Sequence, residues 1–202
     1  YLYRLNTDYK QPLGENGKIE AGYQLRFHER NDDLVYKNLD IAKNQWIENK
    51  EFTNIMFYQR YIHSAYTMYA GSYSGFTYQF GLRAEYTDRN IEMSLEDIPH
   101  QYDYLALFPS VHISKEFKNK HQLQISYSRR TRRPHAWLLN GTPSYMDPNN
   151  VFKGNPDVVP EYTNSYEVNY RKVFEKTTVS LQTYYRNTLN SFTQMRTLDE
   201  NG

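Results

Sequence analysis

The sequence predicts an all-β fold, an antiparallel up-and-down meander of about eight strands. Three observations predict it. Apolar and polar residues alternate with period two over long stretches. The chain is polar yet aromatic: 202 residues include 21 Tyr, 10 Phe and 2 Trp, with 23% charged residues and a mean hydropathy of −0.89. Short turns and long polar connections alternate along it.

The elements follow in order. The opening residues YLYRLNTDYK lack the basic-then-apolar order of a signal peptide. LGENGK (13–18) is a tight turn. In KIEAGYQLRFHE, Ile19, Ala21, Tyr23, Leu25 and Phe27 share one face, and Glu20, Gly22, Gln24, Arg26 and His28 the other. A long polar connection over 31–53 comes next. Residues 54–70 are strand-like without clean alternation, because Ile55, Met56, Phe57 and Tyr58 run together. That run predicts a bulge or a stretch buried on both sides. SYSG (72–75) turns the chain into YQFGLRAEYT, where Tyr78, Phe80, Leu82, Ala84 and Tyr86 oppose Gln79, Gly81, Arg83, Glu85 and Thr87.

A second long connection is expected over 88–102. FKNKH (117–121) introduces HQLQISYSRR, in which Leu123, Ile125 and Tyr127 oppose Gln122, Gln124, Ser126 and Ser128. The third long connection, 134–160, ends in GNPDVVP. Its prolines have no N–H for a ladder and belong just before a strand, and Gly154-Asn155 suits a tight turn. Tyr166, Val168 and Tyr170 then share a face. FEKTT (174–178) turns into TTVSLQTYYR, with Val179, Leu181 and Tyr185 alternating.

Composition narrows the function. A net charge of +1 gives no support to a nucleic-acid partner. The absence of cysteine excludes a disulfide scaffold, a thiolate zinc site and a cysteine nucleophile. No apolar run approaches the roughly 18 residues of a membrane helix. Tyrosine suits a water boundary, since it offers an apolar ring and a polar tip.

The short turns fall at one end of the predicted meander and the long loops at the other. Outer-membrane barrels are built this way, with short periplasmic turns, long outer loops, an apolar outside and a polar lumen. The pattern therefore predicts part of a transmembrane outer-membrane β-barrel in a bacterial outer membrane. The alternative is a soluble or surface-attached all-β ligand-binding module. The two differ in the role of Leu82, Leu123, Ile125, Val168 and Leu181, which face lipid in a barrel and pack together in a sandwich.

Four segments sharpen this: DYKQPLGENGKIEAGYQLRFHERNDD (8–33), FTYQFGLRAEYTD (76–88), LQISYSRRTRRPHAWLLN (123–140) and GNPDVVPEYTNSYEVNY (154–170). In that order they resemble barrel segments of TonB-dependent receptors, in particular the outer-membrane β-barrel family common in Bacteroidetes. Gly141 stands where that family often has Pro, and Val158 where Leu is usual. The resemblance implies a barrel of about 22 strands with a plugged lumen, and energised uptake of a glycan, peptide or metal complex. The plug would contact TonB, and a surface lipoprotein is a further expected type of partner. Residues 1–202 read as an internal part of the barrel, without the plug.

Candidate sites are few. No nucleophile, base and orienter can be assembled from spacing, so no enzyme is expected, nor a cofactor. The histidines are dispersed, and the spacing in DPNNVFKGNPD (147–157) fails a calcium loop, so no metal site is expected. Asp32-Asp33 and Glu96-Asp97 read as solvated loop pairs. The arginines of RRTRRP, namely Arg129, Arg130, Arg132 and Arg133, fall where a strand meets a long loop. At an outer rim they are candidates for contact with lipopolysaccharide phosphates beside outer-membrane lipid. The following loop places Trp137 and Tyr145 near Asp147, Asn149 and Asn150, an amphipathic set suited to ligand recognition or to loop packing.

Overall fold

Alternation becomes strands throughout the computed structural model, which describes residues 1–50, 52–147 and 150–197. In chain order these are β1 (Leu2–Leu13), β2 (Gly17–Leu34), β3 (Lys37–Asp40), β4 (Gln45–Glu48), β5 (Asn54–Tyr73), β6 (Phe76–Met93), β7 (His100–Phe117), β8 (His121–Arg132), β9 (Ser144–Asp147), β10 (Asn150–Phe152), β11 (Glu161–Val173) and β12 (Thr178–Leu189). Eight of them form one sheet in the order β1-β2-β5-β6-β7-β8-β11-β12, and every neighbouring pair is antiparallel. The sheet is open, with β1 and β12 as its edges. The hairpins β3–β4 and β9–β10 stand apart from it, within the long connections.

The turns behave as their residues dictate. Ser74 and Gly75 both take positive φ, at 47° and 74°, which is the backbone a two-residue hairpin needs. Lys118–Lys120 form a single 3-10 turn between β7 and β8.

The sheet has one covered and one bare face. On the bare face Leu82, Ile125, Val168 and Leu181 are all exposed. Aromatic rows cross it. Phe27 stacks on Tyr61 at 4.6 Å and on Tyr3 at 6.0 Å, and Tyr166 meets Tyr127 at 4.9 Å and Tyr185 at 6.1 Å. These are directly opposed cross-strand pairs, the contacts that stabilise a sheet and fix its register. On β6 the bare face is apolar from Phe76 to Tyr86 and then polar at Asp88, Asn90 and Glu92. The apolar part matches the 9–11 residues of a tilted membrane strand.

Three sequence expectations change. Residues 88–102 are mostly strand: β6 runs to Met93, β7 starts at His100, and the connection is only 94–99. The strands stay paired there because Arg89, Ile91 and Met93 have partners on the covered face. Residues 54–58 form no bulge, since β5 keeps unbroken register with β2 and β6. Met56 and Tyr58 are buried on the covered face, whereas Ile55 is exposed on the bare one. Local apolarity on both faces, not an extra residue, hid the alternation. Strand β2 likewise runs past Asp32 and Asp33, so that pair lies in a strand.

Candidate functional site

What covers the sheet is the chain between β8 and β11. Residues 136–139 form a short 3-10 helix, and Ala136 and Leu139 join Met56, Tyr58, Ile91 and Met93 in one apolar cluster, with Val158 packed against it. The segment is therefore folded back on the sheet rather than held away from it.

Polar contacts fix both its ends. At its start Arg133 reaches Glu85 in the middle of β6, while its Nε donates to the Tyr104 hydroxyl at 2.9 Å. Glu85 is 3% exposed and also receives Arg83 at 2.5 Å and Arg26 at 3.2 Å. One buried carboxylate thus serves three guanidinium groups. Such a group is costly to desolvate, and its partners offset that cost only when geometry is good. At its far end Arg89, 5% exposed, donates to the carbonyls of Pro156 at 2.8 Å and Val158 at 3.1 Å. Pro160 then precedes β11 directly.

Gly154 has a different role from the expected tight turn. Its N–H donates to Asn140 O at 2.8 Å, and the Asn155 N–H donates to Leu138 O at 2.8 Å. A Cβ on Gly154 would stand 2.5 Å from Leu138 O, so the two chain passages touch only because this residue has no side chain. The turn comes one step later, where Asn155 Oδ1 accepts from the Asp157 N–H at 2.9 Å. His100 joins the neighbouring connection to this one: its Nε2 lies 2.5 Å from Glu96 Oε2 and its Nδ1 lies 3.6 Å from Asp157 Oδ1.

Beneath the segment lies a narrow, water-sized cleft of about 10 Å³, bounded by Tyr58, Arg60, Thr87, Arg89, Tyr102, Tyr104, Arg133, Pro134 and Pro160. It lies at or beyond the polar end of the apolar band, on the opposite face of the sheet.

The sequence candidates are spread over this region. Tyr145 packs edge-on against Tyr36 at 5.8 Å and Phe52 at 5.6 Å, and its N–H donates to the Tyr36 hydroxyl at 2.7 Å. The two long connections are joined there. Trp137 packs on Phe152 at 5.0 Å instead. Both rings remain partly exposed. Asn150 is exposed at the start of β10, while the side chain of Asp147 and all of Asn149 lie outside the described residues. The four arginines do not share one surface. Arg130 is exposed, Arg129 lies over the Tyr162 ring at 4.7 Å, Arg132 pairs with Glu161 at 3.0 Å, and Arg133 turns onto the covered face.

The hub itself went unread in the sequence, although Arg26, Arg83 and Glu85 fall on the polar side of predicted strands. The missing signal was register. Ser64 opposes Glu85, Tyr66 opposes Arg83 and Arg60 opposes Arg89, a cross-strand match that alternation alone does not supply.

Comparison with known proteins gives a family. The family model described as "Outer membrane protein beta-barrel family" matches residues 1–202. No curated protein matches. Among solved structures the chain is similar to the siderophore receptor PirA from Pseudomonas aeruginosa, at 12% identity and a TM-score of 0.41, over 93% of this chain and 52% of that one. The chain spans about half the length of that receptor.

Proposed function

This chain belongs to the outer membrane protein beta-barrel family, and from that premise we propose that it is the wall and part of the ligand-facing interior of a receptor for TonB-dependent nutrient uptake. The protein is one of the bacterial outer membrane, and its antiparallel sheet is part of a β-barrel. The bare face meets lipid and the covered face the lumen.

One observation carries the uptake reading: an outer loop is folded onto a charged interior face and fixed there at both ends. Buried charges are costly to desolvate, and here they hold an outer loop over the interior face, where a solute would pass. In this reading Trp137 and Tyr145 shape the outer rim of the passage, and a plug elsewhere in the full protein carries the TonB contact. The nutrient is a glycan, a peptide or a metal complex, and a surface lipoprotein is a compatible partner. Arg130 and Arg132 contribute contacts to lipopolysaccharide phosphates. Their double replacement by Ser should weaken binding of the purified protein to lipopolysaccharide vesicles, and unchanged binding would remove that role.

The uptake reading is tested in cells carrying the full-length protein. Radiolabelled medium components should accumulate in its presence and cease to do so when TonB is deleted. Equal accumulation without TonB contradicts it.

A further inference from the structure

We propose that the cleft between Arg60, Arg89 and Arg133 binds a single oxyanion, a carboxylate or phosphate group carried by the incoming solute. The proposal rests on the uptake reading and gives its substrate a chemical class.

The charge balance points there first. Arg26, Arg60, Arg83, Arg89 and Arg133 lie on the covered face around Glu85, and that carboxylate pairs with Arg26, Arg83 and Arg133. Arg89 is bound to neutral carbonyls only. Arg60 makes no hydrogen bond or ion pair among the described residues, and its Nε is buried without a partner, as are those of Arg26, Arg83 and Arg89. Five guanidinium groups therefore share one carboxylate, and the uncompensated pair lines the cleft.

Register makes the arrangement more telling. Arg60 and Arg89 are directly opposed on β5 and β6. Like charges directly opposed across strands repel each other, and burial strengthens that repulsion. An anion between them reverses its sign. The guanidinium fork suits a carboxylate or phosphate, which it can bind through two parallel N–H bonds.

The cleft is about 10 Å³, room for one oxygen of such a group between the arginines, with the rest of the solute outside it. The rings of Tyr58 and Tyr102 lie beside Arg60 and Arg89, with centroids 5.7 and 5.2 Å from the guanidinium carbons, and restrict their movement. Pro134 and Pro160 border the cleft without contributing an N–H, so its donors are the arginines and the hydroxyls of Tyr58, Thr87, Tyr102 and Tyr104. Beyond Tyr86 the opposite face of β6 is already polar, so the cleft lies towards the aqueous loop end, where a solute arrives.

The test uses the purified full-length protein in detergent, with inorganic phosphate and citrate as probes, glucose as the neutral control and chloride to hold ionic strength constant. Phosphate, citrate or both should raise the melting temperature saturably, and glucose should not. The probe that binds more tightly distinguishes a phosphate from a carboxylate ligand. Arg60→Met, which breaks no hydrogen bond among the described residues, should weaken that response about tenfold or more, as loss of one charge-assisted contact does. Arg89→Met should weaken it too. An unchanged response in Arg60→Met overturns the proposal. So does a wild type with no saturable response to either anion, whatever the variants do. These measurements need no TonB, so a failed binding test and a failed uptake test are separate results.

Discussion

Glu85 on β6 and Arg133 just past β8 are joined by an ion pair across the covered face, although 48 residues separate them in the chain. This contact sets where the loop-end segment starts its path over the sheet. Glu85 is buried and has two more arginine partners, so replacing it by Gln leaves three guanidinium groups crowded together. Removing one partner from a buried pair costs about 3–5 kcal/mol. Glu85→Gln should lower the stability of the full-length protein by that order in urea unfolding, and an effect near zero would mean the hub is solvated.

The second fixing point is Arg89. Its bonds to the Pro156 and Val158 carbonyls hold the far end of the same segment. Arg89→Met should expose residues 134–160 to proteolysis while the heat-resistant folded barrel band persists on a gel. The two effects separate because the segment is docked on the sheet and does not form part of its ladder.

Leu139 tests the apolar contact between them. It is fully buried against Met56 and Ile91, at 0% exposure. Leu139→Ala should destabilise the docked segment by about 2–5 kcal/mol, the range for such truncations. Hydrogen exchange should show the loss confined to residues 134–160 and the covered ends of β5 and β6.

Gly154→Ala should have a similar local effect for a steric reason. The added methyl would stand 2.5 Å from Leu138 O, and backbone must shift to admit it. A cost of about 1–3 kcal/mol is expected, as for overpacking elsewhere. The same protease assay checks it, and wild-type resistance would show that the close approach is not required.

Much of the fold is legible in the sequence because its signals are local. Period two assigns Leu82, Ile125 and Leu181 to one face without knowledge of any partner, and Ser74-Gly75 and Pro160 mark a turn and a strand start. The site is less legible because it depends on pairing. Arg60 and Arg89 are separated by a hairpin and become neighbours only through register. The expectation of a long loop over 88–102 fails for a related reason. The polarity of Asp88, Asn90 and Glu92 reads as loop, yet their alternate neighbours Arg89, Ile91 and Met93 are held by a segment folded back from beyond β8. Trp137 and Tyr145 are conspicuous in the sequence, but Trp137 meets Phe152 only when its own connection folds back, and Tyr145 meets Tyr36 and Phe52 only when two connections converge.

The central claim is that the bare face of this sheet is barrel wall in contact with lipid, and Leu82 tests it most directly. Leu82 lies inside the apolar band of β6, flanked by β5 and β7, and is 46% exposed. Facing water, a change to Arg would shift stability by less than about 0.5 kcal/mol, as at an ordinary surface position. Facing the hydrocarbon core it should cost about 2–4 kcal/mol. Reversible unfolding of full-length Leu82→Arg from lipid vesicles is expected to show the larger loss. A stability within about 0.5 kcal/mol of wild type would contradict the account.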